Sequence, residues 1–561
     1  MKKIKHIACA FFIATGLTGC SDFLEILPMN EVVLENYWTD KNDVTSTVYS
    51  CYEVFESEDF LTRMGVWGEL RSDNVKIGVN VPNEINEILK ENLQPSNPMC
   101  NWSVFYKAIN HCNTVCHYAP MVQAIDPNYT ESEMRANIAE VKTLRALCYF
   151  YLIRTFRDVP YTTEPSIDDS QNYIIPAMPF NDVLDSLIVD LESVQNDAVR
   201  RYYQDESPNA RYNSSRITRT AIHALLADLY LWKGDWDNCI KYCDLVIDFK
   251  RQQYDEMLER EGTIRNIGLF GNIPLILEKT TGSTACGNAY TEIFGEGGSF
   301  ESIFELYFEN NQSQQNAYVS KFYGNTNDEK GRLGVPDFLR KDVALGTNTV
   351  FKKTDARAYT SAMMDNQSYY PRKYVYSSTS YSMQSINKED DLKFDGSIRG
   401  NNYANWIIYR LTDVMLMKAE AMIQRGSEEY PAAFALINVV NKRANDVTTT
   451  TRSDTLKMGD YVNSKASMEE LLLVERQREF LFEGKRWFDL VRVARRDSSN
   501  TRLISLATRK YLENQNSIKI KLANPNIIYF PYAKNELKVN PLLRQNPAYA
   551  HFEDTELTTK N

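Results

Sequence analysis

Residues 216–236 read RITRTAIHALLADLYLWKGDW and contain one complete helix, the signal that ends it and the signal that starts the next. Apolar residues recur three or four positions apart over 217–232, which is the period of an amphipathic helix. Gly234 suits the left-handed C-terminal cap of this helix, and Asp235 suits the N-cap of a second helix over 236–247. The stretch therefore predicts a helix hairpin.

The same organisation recurs later in the chain. Residues 411–424 have helical periodicity, Gly426 interrupts it, and apolar positions then continue through a further helix to Val440. Residues 136–156 form another predicted helix, which ends before a Val-Pro pair. Each hairpin is close to the length of a tetratricopeptide unit, about 34 residues. We expect a mainly α fold in which tetratricopeptide-like hairpins form a scaffold, with long irregular loops and a few short strands.

Residues 261–401 have a different composition. Gly, Ser, Asn, Thr and Tyr are frequent there, as in 282–287 and 295–299, and no helical period is sustained. Long irregular segments of this kind commonly carry function in compact domains. We therefore expect the ligand surface to lie partly in this region.

The N-terminus has the features of an export signal. Residues 1–5 are basic and residues 7–17 are apolar, but this apolar run is shorter than the roughly 20 residues that span a bilayer. Residues 17–20, Leu-Thr-Gly-Cys, match a bacterial lipoprotein box, so Cys20 is predicted to carry lipid and to become the new N-terminus. The alternative is an ordinary signal peptide with an incidental cysteine. We expect a signal peptide at 1–19.

The composition argues against nucleic acid as a partner, and the length is sufficient for a large buried core. The 561 residues include 63 Lys plus Arg and 74 Asp plus Glu, for a net charge of −11. Loss of Lys2, Lys3 and Lys5 with the signal leaves 60 basic against 74 acidic residues, a net charge of −14. Nucleic-acid binding therefore has little electrostatic support, since it depends on a basic surface.

The chain has one phrase that looks catalytic. Glu475, Glu479 and Glu483 are spaced four apart and would share a helix face, and glycosidases use two carboxylates. Arg476, Arg478 and Arg486 are interleaved with them. Ion pairs would keep the carboxylates charged and unable to donate protons. We therefore interpret this segment as structural.

Metal and cofactor signals are weak. His111, Cys112, Cys116 and His117 could share one helix face, but the spacing lacks the Cys-x-x-Cys element of zinc folds and no second ligand pair is visible. Residues 325–331 carry oxygen ligands at loop spacing and could hold calcium, yet they do not meet the EF-hand pattern. We expect a polar turn there and no cofactor. Most of the cysteines remaining after processing are interpreted as small buried hydrophobes.

Sugar recognition requires flat apolar ring faces with polar groups at their edges. The chain has 34 Tyr against 25 Phe, a bias toward aromatics that tolerate water. The glycan-binding candidates are Trp67, in a Gly-flanked stretch, and Tyr290, Phe294 and Tyr318, in the loop-rich middle. Ordinary core packing is the alternative for each of them. The remaining tryptophans within helical patterns are assigned to the core, namely Trp102, Trp232, Trp236, Trp406 and Trp487.

Five phrases, in this order, resemble one family. They are EVKTLRALCYFYLIRTFRDVP at 140–160, RITRTAIHALLADLYLWKGDW at 216–236, NWIIYRLTDVMLMKAEAM at 405–422, LLLVERQREFLFEGKRWFDLVR at 471–492 and IIYFPYAKNELKVNPLLRQNPAY at 527–549. Together with the lipoprotein box they resemble SusD/RagB family lipoproteins over essentially the whole mature chain. Two positions depart from the family pattern, Arg157 where Gly is usual and Tyr532-Ala533 where Ile-Pro is common.

The resemblance implies a protein that binds and does not cleave. Such proteins sit on the outer-membrane surface, facing outside, and help deliver oligosaccharides to a TonB-dependent (SusC-like) transporter. Acidic residues directly after Cys20 resemble the surface-export signal of Bacteroidetes lipoproteins. A lipid-anchored glycoside hydrolase and a helical-repeat scaffold that binds only protein are the alternatives.

The resemblance also implies the domain organisation. A lipidated tether would occupy 20–40, and a single SusD-like domain would occupy 41–561. Within that domain we expect an N-terminal part at 41–260, a loop-rich ligand region at 261–401 and a C-terminal part at 402–549.

Overall fold

Helices make up most of the molecule. The computed structural model describes residues 37–552 except 168–170, 172, 204–212, 284, 311–314, 325–329, 366–367, 382–393 and 446–455. The helices are α1 Lys41–Glu56, α2 Glu58–Glu69, α3 Asn83–Leu89, α4 Ser103–Ile125, α5 Glu131–Phe156, α6 Phe180–Val194, α7 Arg219–Lys233, α8 Trp236–Glu261, α9 Asn288–Tyr290, α10 Ala317–Phe322, α11 Asp337–Arg340, α12 Ala356–Ser361, α13 Leu411–Arg425, α14 Tyr430–Asn445, α15 Lys465–Glu479, α16 Arg486–Arg496, α17 Thr501–Ala507, α18 Gln515–Leu522 and α19 Lys534–Val539.

Strands are short and pair in antiparallel twos within the described part of the chain. They are β1 Lys76–Ile77, β2 Val159–Pro160, β3 Ala177–Met178, β4 Ile267–Phe270, β5 Ile273–Ile276, β6 Ser302–Leu306, β7 Leu333–Gly334, β8 Ala362–Asp365, β9 Ser368–Pro371, β10 Tyr376–Tyr381, β11 Phe394–Ile398 and β12 Trp406–Arg410. The pairs are β1 with β7, β2 with β3, β4 with β5, β6 with β12, β8 with β9 and β10 with β11. The mainly α fold class is confirmed.

The predicted hairpins are present. Gly234 ends α7 with φ 81°, a left-handed conformation that glycine adopts without steric cost, and Asp235 accepts a hydrogen bond from the Asn238 backbone to begin α8. α8 continues to Glu261 and so extends well beyond the predicted end. α5 begins earlier than predicted because Thr130 and Glu133 form a capping box. α8 packs against both α7 and α13, which places the two hairpins side by side.

Two apolar clusters fill the interior. The larger one contains residues from Trp38 to Leu543 and joins all parts of the described chain. The smaller one lies among α13, α14 and α15. The loop-rich middle contributes strands β4 to β11 and four short helices, α9 to α12, which agrees with its lack of a sustained helical period. Trp102, Trp232, Trp406 and Trp487 are buried as predicted, whereas Trp236 is half-buried.

Candidate functional site

A buried ion-pair network holds the three glutamates that looked catalytic. Glu479 lies at the end of α15 and contacts three guanidinium groups. Its partners are Arg357 at 2.8 Å, Arg410 at 2.5 Å and Arg443 at 2.6 Å. Glu483, just beyond the helix, pairs with Arg410 at 2.8 Å and Lys373 at 2.7 Å. We call these six residues, together with Glu475, the α15 network.

The α15 network keeps Glu479 and Glu483 ionised. Burial by itself would raise the pKa of Glu479, but Arg443, Arg410 and Arg357 outweigh it and hold the pKa well below its usual range. Arg410 and Lys373 likewise lower the pKa of Glu483 against the effect of burial. A general acid has to carry a proton near neutral pH, so neither group suits that role. The interpretation of this segment as ion-paired is confirmed.

The partners in the network differ from those suggested by the sequence. Of the three interleaved arginines, Arg478 contacts Glu475 at 3.1 Å. Arg476 instead pairs with Asp413 and Asp489, and Arg486 pairs with Asp73. The guanidinium groups on Glu479 come from α12, β12 and α14, which are distant in sequence. Only the tertiary fold brings them to this helix end.

Trp67 is a core residue. It lies within α2, its ring is fully buried against Phe105 and Phe156, and its indole N–H donates to the Met99 carbonyl at 2.9 Å. The glycines beside it serve close packing, because a Cβ on Gly68 would lie 1.8 Å from the Gly484 carbonyl oxygen. The ring faces are covered, so the structure places Trp67 in the core, without an exposed face for a glycan.

The three candidates from the middle region are also buried. Tyr290 lies within hydrogen-bond distance of the Arg372 and Tyr376 carbonyls through its hydroxyl, at 3.1 and 3.2 Å. Phe294 packs edge-on against Tyr374, and Tyr318 packs between other rings. Their positions in the interior leave no ring face for a sugar. The glycines near these rings lie in tight packing, since a Cβ on Gly295 would lie 2.0 Å from the Ser377 carbonyl oxygen.

The metal candidates do not assemble into a site. His111 to His117 lie in α4, where Cys112 is buried, and no group of three or more metal-ligating side chains occurs among the residues that the structure describes. Cys51, Cys100, Cys148, Cys239, Cys243 and Cys286 are buried, as expected for small hydrophobic side chains. Cys20 and 325–329 of the calcium candidate lie outside the described residues.

A cleft of about 180 Å³ lies between the C-terminal half of α8, the start of α7 and residues 298–303. We call it the α8 cleft. Its described lining includes the cations Arg200, Arg201, Lys250 and Arg260, the carboxylate Glu256, the amides Asn213 and Gln253, and the aromatic rings Tyr203, Phe249 and Phe300. The cleft therefore combines apolar ring faces with positive charge and hydrogen-bonding groups.

Lys250 forms the base of the α8 cleft. Its ammonium donates to the Phe300 and Ser302 carbonyls at 2.7 and 2.9 Å. Burial lowers the pKa of Lys250 to about 7, with Glu301 partly opposing the shift. An anion in the cleft would favour the charged form of this amine.

Two further clefts open near the C-terminal motifs. One, of about 560 Å³, is lined by Trp236, Arg496 and Asn500 among others. The other, of about 300 Å³, is lined by Arg157 and Tyr532, the positions that depart from the family pattern. Arg157 has φ 74° and ψ −75°, and the Asp158 N–H bonds to the Phe156 carbonyl at 3.1 Å across it. This is a strained γ-turn, which explains why glycine would be favoured there.

Sequence reasoning missed the α8 cleft. Only residues 298–303 of its lining come from the region in which we expected the ligand surface. The available signal was the run Arg200-Arg201-Tyr202-Tyr203, which places adjacent cations and aromatics in an acidic chain.

The fold and its ion-paired interior define a class: a helical scaffold in which Glu479 and Glu483 are held by buried basic side chains, with clefts on its surface. Comparison with known proteins is consistent with this class. The profile of the SusD family matches residues 300–549. SusD-like protein P38 of Formosa agariphila is 24% identical and covers 98% of this chain and 100% of its own length. A SusD-like protein of Bacteroides ovatus is 22% identical over 84% of this chain and 79% of its own length.

Solved structures share the fold. A SusD superfamily protein from Bacteroides thetaiotaomicron superposes with a TM-score of 0.63 at 19% identity, covering 91% of this chain and 99% of its own. A candidate sugar-binding protein from Bacteroides vulgatus superposes with a TM-score of 0.62 at 19% identity, covering 92% and 100%. Residues 300–549 belong to the SusD/RagB family, whose members bind and do not catalyse. Among the described helices, none has the length and apolar character needed to cross a membrane.

Proposed function

We propose that this chain is an outer-membrane surface lipoprotein that binds oligosaccharides and delivers them to a TonB-dependent transporter. Lipid on Cys20 would anchor it, since each buried CH2 of an acyl chain contributes about 0.8 kcal/mol. Residues 21–28 would serve as a tether that lets the body tilt over the transporter. Family membership and the lipoprotein box support this proposal.

The observation that carries the proposal is the SusD fold built around an ion-paired interior. A hydrolase built on Glu475, Glu479 and Glu483 would need one of them to act as a protonated acid, and Arg443, Arg410 and Arg357 prevent that at Glu479. The protein-binding alternative has no feature that favours it over the family's ligand class. Glycan binding without cleavage is therefore the function that the geometry supports best.

A polysaccharide panel tests the proposal. The purified chain without its signal is run through native gels that contain different polysaccharides, and the same mixtures are assayed for new reducing ends. Retarded migration without new reducing ends is expected. Release of sugar would support the hydrolase, and the absence of both effects would leave the protein scaffold.

Localisation needs its own experiment. Cys20→Ser is expected to release the protein from the membrane fraction and from surface labelling, because no other anchor is proposed. Native membranes should also yield the protein together with a large barrel protein. Unchanged attachment of the Cys20→Ser variant would contradict the lipid anchor.

A further inference from the structure

The α8 cleft has the opposite charge balance from the rest of the chain. The full chain has 74 acidic and 63 basic residues. The described residues that line the cleft include four cations and one carboxylate, Glu256. The positive charge is therefore a local property of this cleft, of the kind that selects for an anionic ligand.

Three of the four basic groups are partly compensated, because Arg201 contacts Glu256, Arg260 contacts Glu261 at 3.3 Å, and burial lowers the pKa of Lys250 to about 7, whereas Arg200 differs from them. Glu256 contacts Arg201 at 3.3 Å, and its side chain is 45% exposed, so solvent screens the pair. Arg200 is exposed, and its guanidinium carbon lies 5.8 Å from the centre of the Phe249 ring. Among the described residues no carboxylate lies within ion-pair distance of Arg200. Its planar guanidinium is thus available for a bidentate contact with a carboxylate or sulfate group.

The same cleft has features that suit a sugar more than a bare anion. Phe249 and Phe300 are half-buried and Tyr203 is exposed, so three aromatic side chains line the cleft. Gln253 lines it as well, and its Oε1 is buried without a donor in the described part of the structure. A buried acceptor without a partner is costly, and a sugar hydroxyl would supply the missing donor.

We propose that the α8 cleft binds an acidic sugar unit, carrying a carboxylate or a sulfate, of a polysaccharide. Arg200 would contact the anionic group, Gln253 a hydroxyl, and the aromatic rings the apolar face of the sugar. This inference rests on the proposed function, because it names the glycan class that the protein takes.

Matched pairs of polymers test the inference. Native gels would contain polygalacturonate or its carboxyl-reduced form, and carrageenan or its desulfated form. The protein should be retarded by at least one acidic polymer, with an apparent affinity at least about tenfold greater than for the neutral counterpart. The polymer that is effective identifies the anionic group as carboxylate or sulfate.

Variants locate the site. Arg200→Gln and Gln253→Leu should each weaken retardation by the effective acidic polymer. Arg425→Gln is the matched control, because Arg425 is a surface arginine paired with Asp237 and Glu429 at the end of α13. Circular dichroism checks that each variant is folded. Inorganic phosphate as competitor should displace the polymer only weakly, since phosphate cannot use the aromatic faces.

The outcomes separate this inference from the proposed function. Equal retardation by acidic and neutral polymers, or an equal loss in Arg200→Gln and Arg425→Gln, would overturn the acidic-sugar site and leave glycan binding intact. Retardation by no polymer at all would overturn both.

Discussion

The α15 network and the α8 cleft both contain carboxylates and basic side chains, but these groups have different roles in the two regions. In the network, Glu479 is contacted by three arginines and is inaccessible to water. In the cleft, Arg201 contacts the half-exposed Glu256, and exposed Arg200 has no carboxylate within ion-pair distance among the described residues. Burial makes charge matching obligatory, because an unpaired buried charge is strongly destabilising. An exposed cleft is free of that constraint, and an unmatched charge there can recognise a ligand.

The largest expected effect is on the network. Glu479→Gln leaves Arg357, Arg410 and Arg443 short of a buried counter-charge, so it should lower the free energy of unfolding by about 3–5 kcal/mol. Urea denaturation followed by circular dichroism measures this. Glu256→Gln makes the same change in the cleft and should cost less than about 1 kcal/mol, since its pair is exposed. Similar losses in free energy of unfolding for Glu479→Gln and Glu256→Gln would contradict the proposed difference between the two regions.

Close packing beside the network gives the next effect. Gly484 follows Glu483, and a Cβ on Gly68 would lie 1.8 Å from the Gly484 carbonyl oxygen. Gly68→Ala should therefore destabilise the fold by about 1–3 kcal/mol. Gly400→Ala, where nothing lies within 4 Å, is the control and should be nearly neutral. If Gly68→Ala were as stable as its control, the close approach of α2 to this segment would be refuted.

The two regions should also differ in their response to pH. Lys250 has a pKa lowered to about 7 by burial, against about 10.4 when unfolded, so the unfolded chain binds more protons between these values. Stability contributed by this site should rise as pH increases from 7 to 10, by at most about 1.4 kcal/mol per unit. Unfolding curves of the wild type and of Lys250→Met measure this. The free energy of unfolding of the wild type should increase relative to that of Lys250→Met as the pH rises from 7 to 10.

Acid should act instead on the buried ion pairs next to the α15 network, such as those of Asp413 with Lys485 and Arg476. Arg476 and Lys485 outweigh burial and lower the pKa of Asp413 to about 2. Its stabilising contribution is present above the unfolded pKa of about 3.9 and is lost as pH falls through about 2. Asp413→Asn should remove this part of the acid dependence. If the difference in free energy of unfolding between the wild type and Asp413→Asn stayed constant at low pH, the pKa assigned to Asp413 would be contradicted. A constant difference for Lys250→Met between pH 7 and 10 would contradict the pKa assigned to Lys250.

The smallest expected effect on stability comes from backbone strain at Arg157. Arg157 adopts φ 74°, which costs a non-glycine residue about 1–2 kcal/mol. Arg157→Gly should therefore be more stable than Arg157→Ala by about 1 kcal/mol, although both lose the contacts to Asp158 and Asn526. Thermal unfolding of the two variants isolates the backbone contribution. Equal stability would show that the turn is not strained.

The sequence predicted local features better than long-range ones. The period of residues 217–232 and the caps Gly234 and Asp235 depend on neighbours along the chain, so the hairpin was predictable. The charged state of Glu479 was also predictable from the abundance of arginine. Its actual partners were not, because Arg357, Arg410 and Arg443 reach it only through tertiary packing.

The aromatic residues predicted to bind glycan show a limit of sequence reasoning. Trp67 lies in a Gly-flanked stretch and Tyr290 in the loop-rich middle, and glycine allows both an open loop and a close approach of backbones. Sequence alone does not distinguish these cases, and the structure shows close approach at Gly68. The α8 cleft combines residues near 200, 250 and 300, so no single window of sequence contains it.

One paired measurement tests the central claim most directly: unfolding free energy and acidic-polymer retardation, both determined for Glu479→Gln and Arg200→Gln. The account predicts that Glu479→Gln loses several kcal/mol of stability but retains binding while it is folded. It predicts that Arg200→Gln keeps its stability and loses retardation by the acidic polymer. Loss of binding in folded Glu479→Gln, or full binding in Arg200→Gln, would contradict the division between an inert interior and a recognising cleft.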